Sequence, residues 1–119
     1  MKVLVDASVW VDHLRRSHAG LRSLLEDDLV VTHPFVVGEL VLGGLSEIAR
    51  RGLQHLESVE EVTHEEALHF VEMNNIAGRG IGWVDTHLLA TSLIGRCRLW
   101  TKDRSLAALA QDLRIAYRP

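Results

Sequence analysis

Short apolar runs alternate along the chain with segments in which apolar residues recur at helical spacing. The short runs predict strands near residues 2–6, 29–32, 59–62, 98–102 and 114–117. The longer patterns predict helices near residues 7–16, 18–27, 34–44, 45–56, 63–76, 85–95 and 104–112. Alternation of this kind is typical of βαβ units, so the sequence predicts a three-layer α/β/α fold with a central parallel sheet of four to five strands.

Local signals mark several of these boundaries. Thr63 and Glu66 have the spacing of a capping box, which predicts the start of a helix. Gly43-Gly44 is expected to end or kink the third helix. The glycine-rich stretch 78–82 predicts a loop that leads into the sixth helix.

Length and composition predict one soluble domain over residues 1–119. The chain is 47% hydrophobic and 24% charged, which is enough apolar material for a core. The lone Cys97 excludes an internal disulfide and fits a reducing cytoplasm. The first apolar run ends at Asp6, too early for a signal peptide, and no run approaches the roughly 20 apolar residues of a membrane helix. We therefore expect a cytoplasmic protein without a membrane partner.

Four acidic residues stand where a metal-dependent nuclease would need them. Asp6 ends the first predicted strand and Asp103 follows the fourth, so both are expected at the carboxyl ends of parallel strands. Asp85 opens the sixth predicted helix, and Glu39 lies within the apolar third helix. A carboxylate in so apolar a segment is costly to bury without a partner, and one clustered metal site would explain all four.

Helix capping is the alternative explanation for three of these acids. Asp is among the best N-cap residues, and Asp6, Asp85 and Asp103 each begin a helical pattern. Capping does not account for Glu39, which lies well inside its helix. Capping and metal binding are also compatible, because one carboxylate oxygen can serve each role.

Carboxylates that share a pocket must be protonated or hold cations. Two of them about 4 Å apart repel by roughly 4 kcal/mol at an effective dielectric near 20. Mg²⁺ and Mn²⁺ prefer such oxygen ligands and keep some of their waters, which leaves room for a phosphate oxygen and an attacking water. Nearby hydroxyls, those of Ser8, Thr86 and Thr101, are candidates to orient the site.

The formal net charge of −3 argues against binding of nucleic acid through bulk charge. The four acids are part of that count, and two divalent cations would change it by +4, to +1. Candidate RNA contacts are Trp83, which is expected in the glycine-rich loop beside Asp85, and Arg79. Trp100 lies within an apolar strand and is expected in the core.

The chain resembles a PIN-domain ribonuclease, specifically a VapC-type toxin of a toxin–antitoxin pair. Four segments carry the resemblance in family order: Val5-Asp6-Ala7-Ser8-Val9-Trp10, Gly38-Glu39-Leu40-Val41-Leu42-Gly43, Gly82-Trp83-Val84-Asp85-Thr86-His87-Leu88-Leu89-Ala90 and Leu99-Trp100-Thr101-Lys102-Asp103. Each segment is short, but four in order over nearly the whole chain are specific.

The resemblance implies both an activity and a set of partners. It assigns Asp6, Glu39, Asp85 and Asp103 to Mg²⁺ or Mn²⁺ and gives Thr101 a supporting role. It implies an endoribonuclease that cleaves structured RNA such as tRNA or ribosomal RNA and forms a homodimer. It also implies inhibition by a VapB-type antitoxin, frequently through an arginine, and contact with operator DNA only through the antitoxin complex.

Two other α/β classes lack their required residues here. A receiver domain needs an acidic pair after the first strand and an Asp after the third, but Ala7 follows Asp6 and no Asp lies near Glu60-Glu61. A haloacid-dehalogenase phosphatase needs a second Asp two residues after Asp6, where Ser8 stands. A catalytically silent PIN-like module that only binds RNA or protein is the remaining alternative, and the presence of all four acids counts against it.

Overall fold

The computed structural model describes all 119 residues and contains four strands and seven helices. The strands are β1 (Val3–Val5), β2 (Val30–Thr32), β3 (Glu57–Ser58) and β4 (Arg98–Trp100). The helices are α1 (Ala7–Arg15), α2 (Ala19–Glu26), α3 (Pro34–Leu42), α4 (Glu47–Gln54), α5 (His64–Met73), α6 (Trp83–Ile94) and α7 (Arg104–Asp112).

The four strands form one parallel sheet in the order β3-β2-β1-β4. The chain moves from β1 outward to β3 and then crosses back over the sheet to β4. Because such crossovers are right-handed, reversing their direction places the later helices on the opposite face of the sheet. In agreement, α3 contacts α1 and α4, while α6 contacts α5 and α7. The predicted three-layer α/β/α fold with a parallel sheet is confirmed.

The core forms around β1 and α6. All three residues of β1 are buried, as expected for a central strand covered by helices on both faces. Helix α6 is buried at every position from Thr86 to Ser92, so it lacks the polar stripe of a surface helix. The rim residues therefore stand at the ends of largely buried elements.

Two predicted strands differ from the structure. The strand expected at 59–62 lies earlier, at Glu57–Ser58, because an edge strand is fixed by hydrogen bonds to its one neighbour and not by burial of an apolar run. The strand expected at 114–117 is reduced to one bridge between Leu99 and Ala116. The backbone N–H of Leu99 still donates to the carbonyl of Ile115 at 2.7 Å, so this segment extends the sheet beyond β4 without forming a regular strand.

The predicted helix starts agree with the structure within one residue except for α4, which begins at Glu47 and not at residue 45, and α6. The capping box of Thr63 and Glu66 is present, with both reciprocal hydrogen bonds at 3.0 and 2.8 Å. Helix α6, however, begins at Trp83 and not at Asp85, because Gly82 serves as its N-cap. Trp83 is thus the first residue of a helix, where the sequence predicted a loop.

None of the helices is both long enough and apolar enough to cross a lipid bilayer.

Trp100 should be a major source of stability. Its indole is 4% exposed and packs against the rings of His18 and Tyr117, each with centroids 5.1 Å away. We expect Trp100→Ala to lower the free energy of unfolding by about 3–5 kcal/mol, measured by urea denaturation. Met73→Ala removes an exposed apolar side chain and should change it by less than about 0.5 kcal/mol. Equal effects of the two substitutions would contradict the core position of Trp100.

Candidate functional site

The carboxyl ends of β1 and β4 define the rim on which the candidate site is built. The two strands pair in parallel register, with Val5 opposite Trp100. The pairing extends one residue further, since the backbone N–H of Asp6 donates to the carbonyl of Trp100 at 2.9 Å. The strand order reverses between β1 and β4, and in open parallel sheets ligands bind at such a point. The rim therefore sets Asp6 beside the loop that carries Asp103.

Asp6 is buried and held by two hydroxyl groups. Its Oδ2 accepts hydrogen bonds from the Ser8 hydroxyl at 2.7 Å and the Thr101 hydroxyl at 2.8 Å. The residue is 7% exposed, and two donors on one oxygen compensate part of the desolvation of a charged carboxylate. The expected supporting positions of Ser8 and Thr101 are where the structure places their side chains.

Backbone groups of the β4–α7 loop complete this network. The N–H of Lys102 donates to the Ser8 hydroxyl at 3.0 Å, and the N–H of Asp103 donates to the Thr101 hydroxyl at 3.1 Å. Each hydroxyl thus accepts from the loop while it donates to Asp6. The position of Asp6 and the course of the loop before Asp103 are consequently fixed together.

The two acids that follow strands use their carboxylates differently. Asp6 stands at the N-cap position of α1 but makes no side-chain capping bond. Asp103 does cap α7, with Oδ1 accepting from the N–H of Leu106 at 2.9 Å. Asp103 is exposed, so its second oxygen remains open to solvent. Capping therefore does not account for Asp6, and it occupies only one oxygen of Asp103.

Asp85 and Glu39 reach the rim from helices. Asp85 is partly buried in the first turn of α6, where the helix dipole favours a negative charge. Glu39 lies in the last turn of α3 and is exposed, although its neighbour Leu40 is 5% exposed. The apolar third helix suggested that Glu39 is buried, but in the structure its neighbour Leu40 is buried and Glu39 itself is exposed.

The electrostatics connect Glu39 and Asp85 with the other rim acids. Partial burial raises the pKa of the Glu39 carboxyl above its ordinary value of 4.5, and the charges of Asp6 and Asp85 raise it further. Burial likewise raises the pKa of Asp85, followed by the charges of Asp6 and Asp103. Because Glu39 is exposed, solvent screens part of its repulsion. Asp6 is the common neighbour in both cases.

The donors at the rim are oxygen atoms only. Carboxylates with hydroxyls around them suit hard cations such as Mg²⁺ and Mn²⁺ and do not suit ions that prefer sulfur. No three His, Cys, Asp or Glu side chains come close enough together to enclose an ion by themselves. Repulsion extends further than coordination, so acids can raise one another's pKa at separations too long for a shared ion. Such a rim fits an ion that keeps several waters and takes few protein ligands, as Mg²⁺ commonly does.

Comparisons with known proteins identify the family of this chain. The model of the PIN domain family matches residues 3–112. The chain belongs to the PIN domain family. It is 41% identical over 117 residues to "Ribonuclease VapC32" from two strains of Mycobacterium tuberculosis, CDC 1551 / Oshkosh and ATCC 25618 / H37Rv, covering 96% of this chain and 94% of the relative. The resemblance to VapC-type PIN-domain ribonucleases is thereby confirmed.

A solved structure supports the fold independently. The crystal structure of PAE2754 from Pyrobaculum aerophilum is similar with a TM-score of 0.60 at 18% sequence identity. The similarity covers 92% of this chain and 79% of that one. At this level of identity the likeness concerns the fold of the PIN domain alone.

The remaining predicted site residues take other positions. The guanidinium of Arg79 pairs with Asp112 at 3.1 Å, at the end of α7. The hydroxyl of Thr86 is buried and donates to the carbonyl of Gly82 at 2.9 Å, so it does not face the acids. Of the three candidate hydroxyls, Thr86 is the one whose donor is used within its own helix, as is common for a threonine that bonds to the preceding turn.

Other residues near this PIN domain's acids carried no usable signal in the sequence. Lys102, between Thr101 and Asp103, forms an ion pair with Asp12 of α1. His87 lies under Trp83 and is 6% exposed. Burial lowers the pKa of the His87 imidazole, followed by its neighbour His64, while Glu61 opposes the change. Trp83 and His87 are four residues apart on α6, so their contact follows from helical spacing, whereas the pairing of Lys102 with Asp12 joins distant parts of the chain.

The raised pKa of Glu39 predicts a pH-dependent cost to stability. A carboxyl whose pKa is higher in the folded state contributes stability below its ordinary pKa and loses it as pH rises through the folded pKa. We therefore expect Glu39→Gln to raise the free energy of unfolding at pH 7 in EDTA by about 0.3–1 kcal/mol. The gain should disappear near pH 4, below the ordinary value of 4.5.

A matched control separates the acid cluster from the helix dipole. Glu72 also lies in the last turn of its helix, α5, but the structure gives no coupling between it and the rim acids. Glu72→Gln should therefore give a smaller gain than Glu39→Gln in urea denaturation at pH 7. Equal gains would attribute the effect to the helix end and not to the neighbouring acids.

Proposed function

We propose that this PIN domain is a divalent-metal-dependent endoribonuclease that acts as the toxin of a VapC-type toxin–antitoxin pair, with Mg²⁺ or Mn²⁺ as its cofactor. The observation that carries the proposal is the buried Asp6 carboxylate. Ser8 and Thr101 hold it, and its charge is the second cause, after burial, that raises the pKa of Glu39 and of Asp85. A cation bound near these carboxylates would offset that repulsion.

Each residue has a distinct role in this proposal. Asp6, Glu39, Asp85 and Asp103 are the residues that would hold the ion, directly or through its waters. A divalent ion bound there activates water for attack on the phosphodiester and offsets the charge that develops on the phosphate. Ser8 and Thr101 are positioning residues, since they hold one Asp6 oxygen and leave the other free for a ligand.

The substrate part of the proposal is RNA, with structured RNA such as tRNA or ribosomal RNA as the expected class. The name of the Mycobacterium tuberculosis relative, a ribonuclease, supports this. Trp83 is the candidate RNA contact on the protein surface next to Asp85. Arg79 is a weaker candidate, because binding a phosphate would require it to leave Asp112.

Loss of the central carboxylate should abolish cleavage without unfolding the chain. We expect EDTA to stop RNA cleavage and Mg²⁺ or Mn²⁺ to restore it. Asp6→Asn should reduce the rate by more than the 10- to 100-fold loss typical of a residue that only supports a ligand, which is our expectation for Ser8→Ala. A labelled total-RNA cleavage assay, with circular dichroism as a check of folding, measures both.

Asp27→Asn provides the control for net charge. Asp27 is exposed at the end of α2, and its replacement removes the same single charge as Asp6→Asn. It should cleave RNA at the wild-type rate. A folded Asp6→Asn variant that cleaves as fast as Asp27→Asn would contradict the metal site. Specific RNA binding without any cleavage by the wild-type chain would favour a catalytically silent module.

We also propose that the chain forms a homodimer through the outer side of α3 and α4. Leu42 and Ile48 are 90% and 85% exposed, while Val36 and Leu40 on α3 face the core. A groove of about 540 Å³ between the two helices adjoins this surface. Exposed apolar side chains of this size on neighbouring elements are typical of an interaction surface.

Charges on this surface should separate the subunits. We expect Leu42→Glu and Ile48→Glu to convert a dimer to a monomer in light scattering at micromolar concentration. Met73→Glu, on the exposed end of α5, should leave the dimer intact. A wild-type chain that is monomeric at this concentration would contradict the proposal.

A VapB-type antitoxin is the further proposed partner, and contact with operator DNA is proposed only through the antitoxin complex. The rim acids offer an arginine of the antitoxin several carboxylate acceptors, and an arginine bound there would exclude the metal ion or its waters. Inhibition that survives replacement of every antitoxin arginine would count against this mode of contact.

A further inference from the structure

Five aromatic rings form a continuous row beside the rim acids. In spatial order they are His33, Phe35, His87, Trp83 and His64. Neighbouring ring centroids lie 4.9, 5.2, 4.9 and 5.1 Å apart along the row. The rings come from the starts of three helices: Phe35 from α3, Trp83 and His87 from α6, and His64 from α5. The row is a tertiary feature that joins both helical layers at the same end of the sheet.

Exposure increases from one end of this row to the other. His33 is fully buried, and its Nδ1 accepts from the N–H of Phe35 at 2.9 Å. His87 is 6% exposed, Trp83 is 39% exposed, and His64 is exposed. The buried ring of His87 therefore packs against Trp83, while Trp83 and His64, the outer pair, are exposed to solvent.

Trp83 differs in this respect from the other tryptophans. Trp10 and Trp100 are each 4% exposed and belong to the core. An aromatic ring that is held rigid but left exposed retains apolar area that a flat ligand can cover at little entropic cost. The exposure of Trp83 is therefore not explained by its contribution to the core.

Trp83 stands at the same helix end as one of the proposed catalytic acids. Trp83 and Asp85 are two residues apart in the first turn of α6, so their side chains leave the helix on different sides of that end. The rings of Trp83 and His64 are inclined at 60°, so they form an open corner and not a closed stack. A nucleobase can lie flat on the exposed indole with its edge beside the inclined imidazole.

We propose that Trp83 and His64 bind an unpaired nucleobase of the substrate beside the scissile phosphate, so that the chain selects RNA that is single-stranded at this point. The inference rests on the proposed ribonuclease function and adds a specificity-determining residue, His64, to it. A paired base is stacked on its neighbours within the helix and does not offer both its face and its edge to this corner.

A protein partner is the competing occupant of the same surface. Leu68 lies one turn after His64 on α5 and is 45% exposed, which adds an apolar side chain to the patch. RNA is favoured because Trp83 stands at the same helix end as Asp85 and because one of the two rings is a polar imidazole. The two occupants give different results in the experiment below.

The experiment measures RNA affinity on the Asp6→Asn background in Mg²⁺, so that cleavage does not interfere. The probe is a fluorescein-labelled single-stranded RNA 12-mer of mixed sequence, read by anisotropy. We expect Trp83→Leu to weaken binding by about 5- to 100-fold, in the range for loss of one stacked base. His64→Ala should weaken it less, and His64→Tyr, which keeps a ring, should restore most of the affinity. Leu68→Ala is the matched control and should bind like its parent.

A second probe separates bases from phosphates. The same 12-mer with abasic sites at its four central positions keeps every phosphate but offers no base there. It should bind the Asp6→Asn parent more weakly than the intact strand does, and this difference should be much smaller for the variant that also carries Trp83→Leu. The 12-mer annealed to its complement should likewise be insensitive to Trp83→Leu.

Three results overturn the proposal. The first is unchanged affinity of folded Trp83→Leu and His64→Ala for the single strand, with thermal unfolding as the check of folding. The second is an equal loss for the intact and the abasic strand, which would mean that the corner holds phosphate. The third is that Trp83→Leu or His64→Ala leaves RNA binding unchanged but abolishes the dimer in light scattering, which would assign the corner to a protein partner. Cleavage by the wild-type chain reports on the ribonuclease function separately and is read in its own assay.

Discussion

The parallel pairing of β1 with β4 is the constraint on which the site depends. Val5 lies opposite Trp100, and the next hydrogen bond, from the N–H of Asp6, places this carboxylate against the segment after β4. From there Ser8 and Thr101 join the acid to the loop through hydroxyls that donate to Asp6 and accept from the loop backbone. A shift of one residue in this register would move Thr101 away from Asp6 and turn alternate side chains to the other face. The register of the sheet thus fixes the positions of Asp6, Ser8 and Thr101 relative to one another, which the surface loop alone would not do.

The fold also holds carboxylates that repel one another at this rim. Burial and neighbouring charges raise the pKa of Glu39 and of Asp85, so the metal-free chain is less stable at neutral pH than its packing alone would make it. A bound cation reverses the sign of that interaction, because each carboxylate then faces a positive charge. The same acids therefore lower the stability of the metal-free fold and provide the affinity for the ion. Stability given up at a functional site in this way is common in enzymes.

The sequence predicted the features that depend on local pattern. The apolar runs located β1, β2 and β4, and the capping box located the start of α5. The positions of Asp6 and Asp103 after β1 and β4 also follow from the apolar runs, while the assignment of the four acids to one metal site stays a prediction. What the sequence did not predict depends on tertiary contacts: β3 is held by hydrogen bonds to β2, and the row of rings from His33 to His64 joins the start of α3 to α5 and α6. The extent of the domain, predicted as residues 1–119, stays a prediction.

The central claim is that Asp6 lies at the centre of a divalent cation site. Titration of the metal-free chain with Mn²⁺ in a calorimeter at pH 7 tests it without any RNA. The account predicts saturable binding to the wild-type chain and to Asp27→Asn, and an affinity at least about tenfold weaker for Asp6→Asn, as for loss of a group that shapes a metal site. Equal Mn²⁺ affinity for folded Asp6→Asn and Asp27→Asn would contradict it.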